Sequence, residues 1–226
     1  MIIRIGHRGA CGYEPENTLL SFKKALKLNV DMIELDVYLC KTGELVVIHD
    51  DKVDRTTNGK GYITEKSFEE LRQLDAGKGE KIPTLQEVLD LTNKKAKENI
   101  ELKGEGTAKP VSKVIEKYVK EKGWSYDDFL VSSFNHYELL KFSKLNPNIK
   151  IGVLIKGTPI GFAEFAEKVN AYSVHLSLEF INKEFVEDAH KRGMKVFVWT
   201  VNDTDEMQRM KELGIDGIFS KFPDRI

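Results

Sequence analysis

The chain has 226 residues, enough for one large domain, and 41% of them are hydrophobic, enough for a sizeable core. Lys+Arg 35 against Asp+Glu 36 leave a formal net charge of -1, which argues against nucleic acid or an anionic membrane as partner. Two cysteines outside any Cys-x-x-Cys pair argue against a zinc knuckle and suit a reducing, cytoplasmic compartment, and no apolar run reaches the ~20 residues of a membrane helix.

The first apolar run, 2–6, reads as a strand and leads into Gly6-His7-Arg8-Gly9. A helix is expected over 17–28, introduced by Asn17-Thr18 as a capping signal. Strand 31–39 carries Glu34 and Asp36, and Thr42-Gly43 reads as a hairpin turn into 44–49, which ends in His49-Asp50. Residues 51–83 break the rhythm: a polar stretch with Thr57-Asn58-Gly59 is followed by a short helix at 67–74.

From there strands and helices alternate. Strands are expected at 98–102, 129–133, 150–155, 171–176, 195–200 and 216–219. Helices are expected at 84–96, 111–122, 136–145, 161–169, 182–192 and 204–213. Such alternation implies βαβ units and a parallel sheet. Eight strands predict an α/β fold of the (β/α)8 TIM-barrel type, a single domain over 1–226 with a small cap inserted after strand two at about 51–83. A doubly wound open sheet competes, but no Gly-x-Gly-x-x-Gly follows any strand.

Barrel active sites form at the C-terminal ends of the strands. Those ends carry His7 and Arg8, then Glu34 and Asp36, then His49, then Glu101 and Lys103, and later Ser133, His175, Trp199 and Asn202. Glu34 and Asp36, two residues apart, share one face of their strand. Their repulsion would be relieved by a hard cation, with Glu101 as a third oxygen ligand; carboxylates without cysteine favour Mg²⁺ or Ca²⁺ over Zn²⁺. The competing reading is a buried salt-bridge network with Arg8 and Lys103. His7 and His49 are candidates for proton donor and acceptor. Arg8 and Lys103 suit a phosphate. Trp199 is a core residue by default and, at a strand end, a wall for the apolar part of a substrate. Glu16 or Asn17, on the loop after strand one, is within reach of the same site.

The set Gly6-His7-Arg8-Gly9, Pro15-Glu16-Asn17-Thr18, Ile33-Glu34-Leu35-Asp36-Val37, Val47-Ile48-His49-Asp50, Glu101-Leu102-Lys103 and Trp199-Thr200-Val201-Asn202 resembles the glycerophosphodiester phosphodiesterases over essentially the whole chain. The resemblance implies His7 and His49 as the general acid/base pair and Glu34, Asp36 and Glu101 as ligands of one divalent cation. It also implies Arg8 and Lys103 as phosphate contacts. It departs at Ser220-Lys221-Phe222-Pro223, where Lys221 stands in place of an acid or amide. The implied substrate is a small glycerophosphodiester, with no nucleic acid partner and no stable membrane insertion; a homodimer is left open.

Other readings make different demands. A phospholipase C- or D-like enzyme acting on lipid should show an exposed apolar rim, and the insertion is polar. A phosphate-binding synthase needs a glycine-rich loop after strand seven or eight. A non-catalytic binding protein would be free to lose His7 or His49.

Overall fold

The structure, a computed structural model, describes residues 2–226. Among them nine strands occur: β1 (Ile3–Gly6), β2 (Met32–Leu39), β3 (Leu45–Val47), β4 (Lys97–Leu102), β5 (Phe129–Ser133), β6 (Lys150–Ile155), β7 (Ser173–Ser177), β8 (Lys195–Trp199) and β9 (Gly217–Ser220). All but β3 run parallel, in the order β1-β9-β8-β7-β6-β5-β4-β2, and β1 pairs back onto β2 to close the barrel. β3 pairs antiparallel with β2, Val37 against Val47 and Leu39 against Leu45, so a five-residue loop replaces the expected two-residue turn.

The helices are α1 (Leu19–Lys27), α2 (Phe68–Gln73), α3 (Leu85–Thr92), α4 (Ala108–Lys122), α5 (His136–Leu145), α6 (Lys183–Lys191) and α7 (Thr204–Glu212). Side-chain caps set several starts: Thr18 for α1, and Thr84 with Glu87 in a reciprocal box for α3. α3 stops at Thr92, short of the expected 96, because Asn93 and Lys94 turn left-handed at φ 43° and 64°. α4 starts before Pro110, whose missing N–H costs nothing in a first turn. The helix expected at 161–169 is only a 3-10 helix, Glu164–Val169, confined between Gly161 and left-handed Asn170.

Two apolar layers follow from the period-two pattern of the strands. Outward residues such as Ile33, Leu35, Ile100 and Val131 pack under the helices. Inward Ile5, Met32, Leu130, Phe197 and Phe219 fill the barrel itself. Each large side chain buried there contributes about 1.5–3 kcal/mol, so the barrel floor is a core and not a channel. On β2 the inward series runs Met32, Glu34, Asp36, so polarity rises toward the C-terminal mouth. Parallel register sets Glu34 beside Asn99 and Asp36 beside Glu101.

Residues 51–83 contribute a 3-10 turn (Ile63–Glu65) and α2. They pack on the β2–β3 hairpin through a small apolar cluster: Val46 and Ile48 from the hairpin, and Val53, Ile63, Leu71 and Ile82 from the segment. Among the described residues no helix is long and apolar enough to cross a membrane.

Candidate active site

The loop after β1 is folded back hard. A Cβ at Gly6 would meet the carbonyl oxygen of Gly9 at 2.8 Å, and Gly9 itself sits at φ +82° against Ser21. Arg8, between them, is left-handed at φ 52°. That conformation turns the Arg8 N–H onto Glu34 Oε2 at 2.7 Å and its guanidinium toward Asp36 (3.4 Å) and Glu16 (2.8 Å). Asn17, also left-handed at φ 57°, donates from Nδ2 to Asp36 Oδ2 at 2.9 Å. Both residues of the Glu16-Asn17 pair therefore reach the site.

The hairpin supplies the opposite side. The Ile48 N–H bonds the Asp36 carbonyl, so the chain returns along β2 and delivers His49 to the cavity. His49 Nδ1 lies 2.5 Å from Asp50 Oδ1, and its Nε2 lies 3.2 Å from Lys103 Nζ. Because a carboxylate only accepts, the Asp50 contact puts the imidazole proton on Nδ1. Burial pushes the His49 pKa down, aided by Arg8 and Lys103 and opposed by Asp36 and Asp50. His7 is pushed well below the ordinary histidine value, first by burial and then by Arg8 and His49. Its Nδ1 is buried with no hydrogen-bond partner.

Glu34, Asp36 and Glu101 are all buried, and each has a carboxylate oxygen within 4.8 Å of the other two. Lys103 lies 3.0 Å from Glu101 and 4.0 Å from Asp36. These pairs do not satisfy the cluster: Asp36 Oδ1 lacks a hydrogen-bond partner, and Glu101 Oε1 faces only the Lys103 ammonium. Burial, then Asp36 and Glu101, pushes Glu34 well above the usual carboxylate range; burial and Asp36 push Glu101 up to about 7 despite Lys103. Arg8 and Lys103 are thus engaged with carboxylates, as the salt-bridge reading expected, yet the cluster remains short of positive charge.

A cavity of about 110 Å³ opens beside this cluster at the C-terminal mouth. His7, Arg8, Glu34, His49, Asn99 and Glu101 form one wall; Phe134, Leu154, Trp199 and Phe219 form the other. Trp199 is edge-on to Phe134 and its indole N–H donates to the His175 carbonyl at 3.0 Å.

A family model described as the Glycerophosphoryl diester phosphodiesterase family matches residues 7–225. The chain belongs to this family. A glycerophosphodiester phosphodiesterase of Caldanaerobacter subterraneus subsp. tengcongensis is 42% identical over 98% of this chain and 95% of its own length. One of Bacillus altitudinis is 38% identical, over 97% and 94%. A solved phosphodiesterase of Oleispira antarctica, in complex with the product sn-glycerol-3-phosphate, matches with a TM-score of 0.91 at 34% identity, over 98% of this chain and 94% of that one. The chain is a glycerophosphodiester phosphodiesterase on a TIM barrel.

The buried oxygens of this phosphodiesterase fit a hard divalent cation: three carboxylates converge, Asp36 Oδ1 lacks a hydrogen-bond partner, and no cysteine joins the group among the described residues. Other strand-end candidates are structural. Ser133 Oγ donates to the Leu102 carbonyl, and Asn202 Oδ1 accepts from the Lys221 N–H. His175 is fully buried, stacked on Phe197 and bonded to Ser173. His136 and His190 sit at helix ends; His190 is exposed, while His136 is half-buried against Phe165. The sequence reading missed Asn99, although its period-two offset from Glu101 places it on the same face. It also missed Arg55, which bridges Asp50 and Glu16. An apolar rim is present after all, away from the insertion: Phe134, Ile160 and Phe180, on the loops after β5, β6 and β7, are 44%, 106% and 36% exposed.

Proposed function

We propose that this enzyme hydrolyses glycerophosphodiesters such as glycerophosphocholine or glycerophosphoethanolamine to glycerol 3-phosphate and an alcohol. The observation that carries this is the convergence of two neutral-leaning histidines on a cavity lined by Glu34 and Glu101, two members of a buried three-carboxylate cluster completed by Asp36. Glu34, Asp36 and Glu101 hold one divalent cation, Mg²⁺ or Ca²⁺, which supplies positive charge at the phosphoryl oxygens. Arg8 and Lys103 bring N–H donors to the same phosphate. One of His7 and His49 takes a proton from the nucleophile, and the other returns one to the leaving alkoxide. Trp199 lies against the apolar part of the substrate. The low-polarity wall opposite excludes water and strengthens each of these interactions.

The test is a coupled assay for released glycerol 3-phosphate. His7→Ala and His49→Ala are each expected to lower kcat by ~10²–10⁴-fold. Wild-type turnover in either variant refutes the acid/base assignment, and full activity after exhaustive chelation refutes the cation. The exposed Phe134, Ile160 and Phe180 favour a second reading, a substrate carrying an acyl chain. A higher kcat/KM for lysophosphatidylcholine than for glycerophosphocholine would select it.

A further inference from the structure

Arg55 belongs to the inserted segment, and its guanidinium grips Asp50, which immediately precedes that segment, together with Glu16 from the loop after β1. Its Nε and Nη2 donate to Asp50 at 2.7 and 3.1 Å, and its Nη1 and Nη2 donate to Glu16 at 2.9 and 2.7 Å. Each acid in turn holds a side chain of the cavity. Asp50 accepts from His49 Nδ1 at 2.5 Å, and Glu16 accepts from Arg8 Nη1 at 2.8 Å. One planar fork thus terminates two chains of hydrogen bonds, one running to the imidazole and one to the guanidinium that faces Asp36.

We propose that Arg55 is a positioning residue for the phosphodiester reaction, fixing the His49 tautomer through Asp50 and the orientation of Arg8 through Glu16. The inference rests on the roles given above to His49 and Arg8. With Asp50 held at Nδ1, the His49 proton stays there and Nε2 keeps its lone pair, which accepts from Lys103 Nζ at 3.2 Å. With Glu16 held, Arg8 cannot swing off the carboxylate cluster. Lysine does not replace this function, because its three donors leave one point and cannot meet two carboxylates side-on. The inserted segment is therefore a brace for the chemistry.

Arg55 is about half exposed (49% of its side chain), so its ion pairs are screened and contribute little to global stability. Loss of activity on substitution then reports positioning. In the full chain with Mg²⁺ or Ca²⁺, Arg55→Met and Arg55→Lys are expected to lower kcat on the order of 10²-fold, the cost of displacing a reacting group by about 1 Å. Guanidinium added to Arg55→Ala should restore part of the rate. The ¹⁵N spectrum of the histidine rings gives an independent readout: the Nδ1–H form of His49 should give way to a tautomer mixture in Arg55→Met. Wild-type kcat in Arg55→Met, or lost activity with an unchanged His49 ring spectrum, overturns the inference. An inactive His49→Ala beside a fully active Arg55→Met sinks this inference alone, whereas a fully active His49→Ala sinks the reading beneath it.

Discussion

Replacing Glu101 by glutamine separates the cation site from a salt-bridge network, because the two accounts predict opposite signs. Glutamine approximates the protonated glutamate in shape and charge. In the ion-free protein the Glu101 carboxyl titrates at about 7 against an ordinary 4.5, even with Lys103 only 3.0 Å away. The folded state therefore holds a proton that the unfolded chain releases between those values. Stability falls as pH rises from about 4.5 to about 7 and is flat above, with a total cost of ~3 kcal/mol at 1.36 kcal/mol per pH unit. Glu101→Gln removes that cost. At pH 8, chelated Glu101→Gln should melt higher than chelated wild type by roughly 6–12 °C; at pH 4.5 the two should coincide. Adding Mg²⁺ or Ca²⁺ should raise the wild-type Tm and leave the variant nearly unmoved, while turnover of the variant collapses. Differential scanning calorimetry of the two proteins at both pH values, with and without cation, measures all of this. A chelated Glu101→Gln less stable than wild type at pH 8 would mean that the carboxylate is a net-stabilising partner of Lys103, and the reasoning fails.

Further outcomes follow from the same structure. Asp50→Asn keeps the shape but lets the side-chain amide donate to His49 Nδ1, so kcat should fall on the order of 10²-fold or more with the thermal midpoint little changed. Gly152→Ala sets a Cβ 2.5 Å from the fully buried His175 ring and should destabilise by about 1–3 kcal/mol in a denaturant titration. Glu98 is fully buried with no charged partner, and burial holds its pKa well above the usual range against a weak opposing contact from Thr92. Glu98→Gln should therefore raise the melting temperature at pH 8, where wild type must ionise this group or keep it protonated at a cost.

The strands and the carboxylate set were legible because both rest on period two. Alternation fixed which side chains enter the barrel, and parallel register then had to set Asp36 beside Glu101. His49 was legible because a hairpin can only return along its partner. Helix boundaries were less so. Asn93 tolerates the left-handed backbone that ends a helix, but Lys94 and the residues after it read as helical, and it is the left-handed turn at both that stops α3. Arg55 was hidden for a different reason: Asp50 is five residues earlier on the same loop, but Glu16 comes from the loop after β1, and no local pattern announces a contact across 39 residues. The apolar rim escaped because it was sought in the insertion. It lies instead on three loops that become neighbours only after β5, β6 and β7 align.

The charges around the cavity give the cation account its most specific consequence. Five carboxylates (Glu16, Glu34, Asp36, Asp50 and Glu101) face three permanent cations (Arg8, Arg55 and Lys103), and both histidines are pushed toward neutrality. Fully ionised, the set is short by two positive charges, of which the exposed Lys221, also acting on His7, offsets at most one. Without an ion the protein makes up that shortfall with protons, and the groups whose pKa rises are Glu34 and Glu101, both members of the triad. Glu16 and Asp50, bonded to Arg55, are lowered instead. Binding of a divalent cation should therefore displace protons from Glu34 and Glu101, approaching two per ion below pH 7, and apparent affinity should weaken by at least tenfold per pH unit there. Isothermal titration calorimetry in buffers of different ionisation enthalpy counts those protons directly. Release of none at pH 6 would mean that the triad is already ionised and balanced by Arg8 and Lys103, and that the ion binds elsewhere.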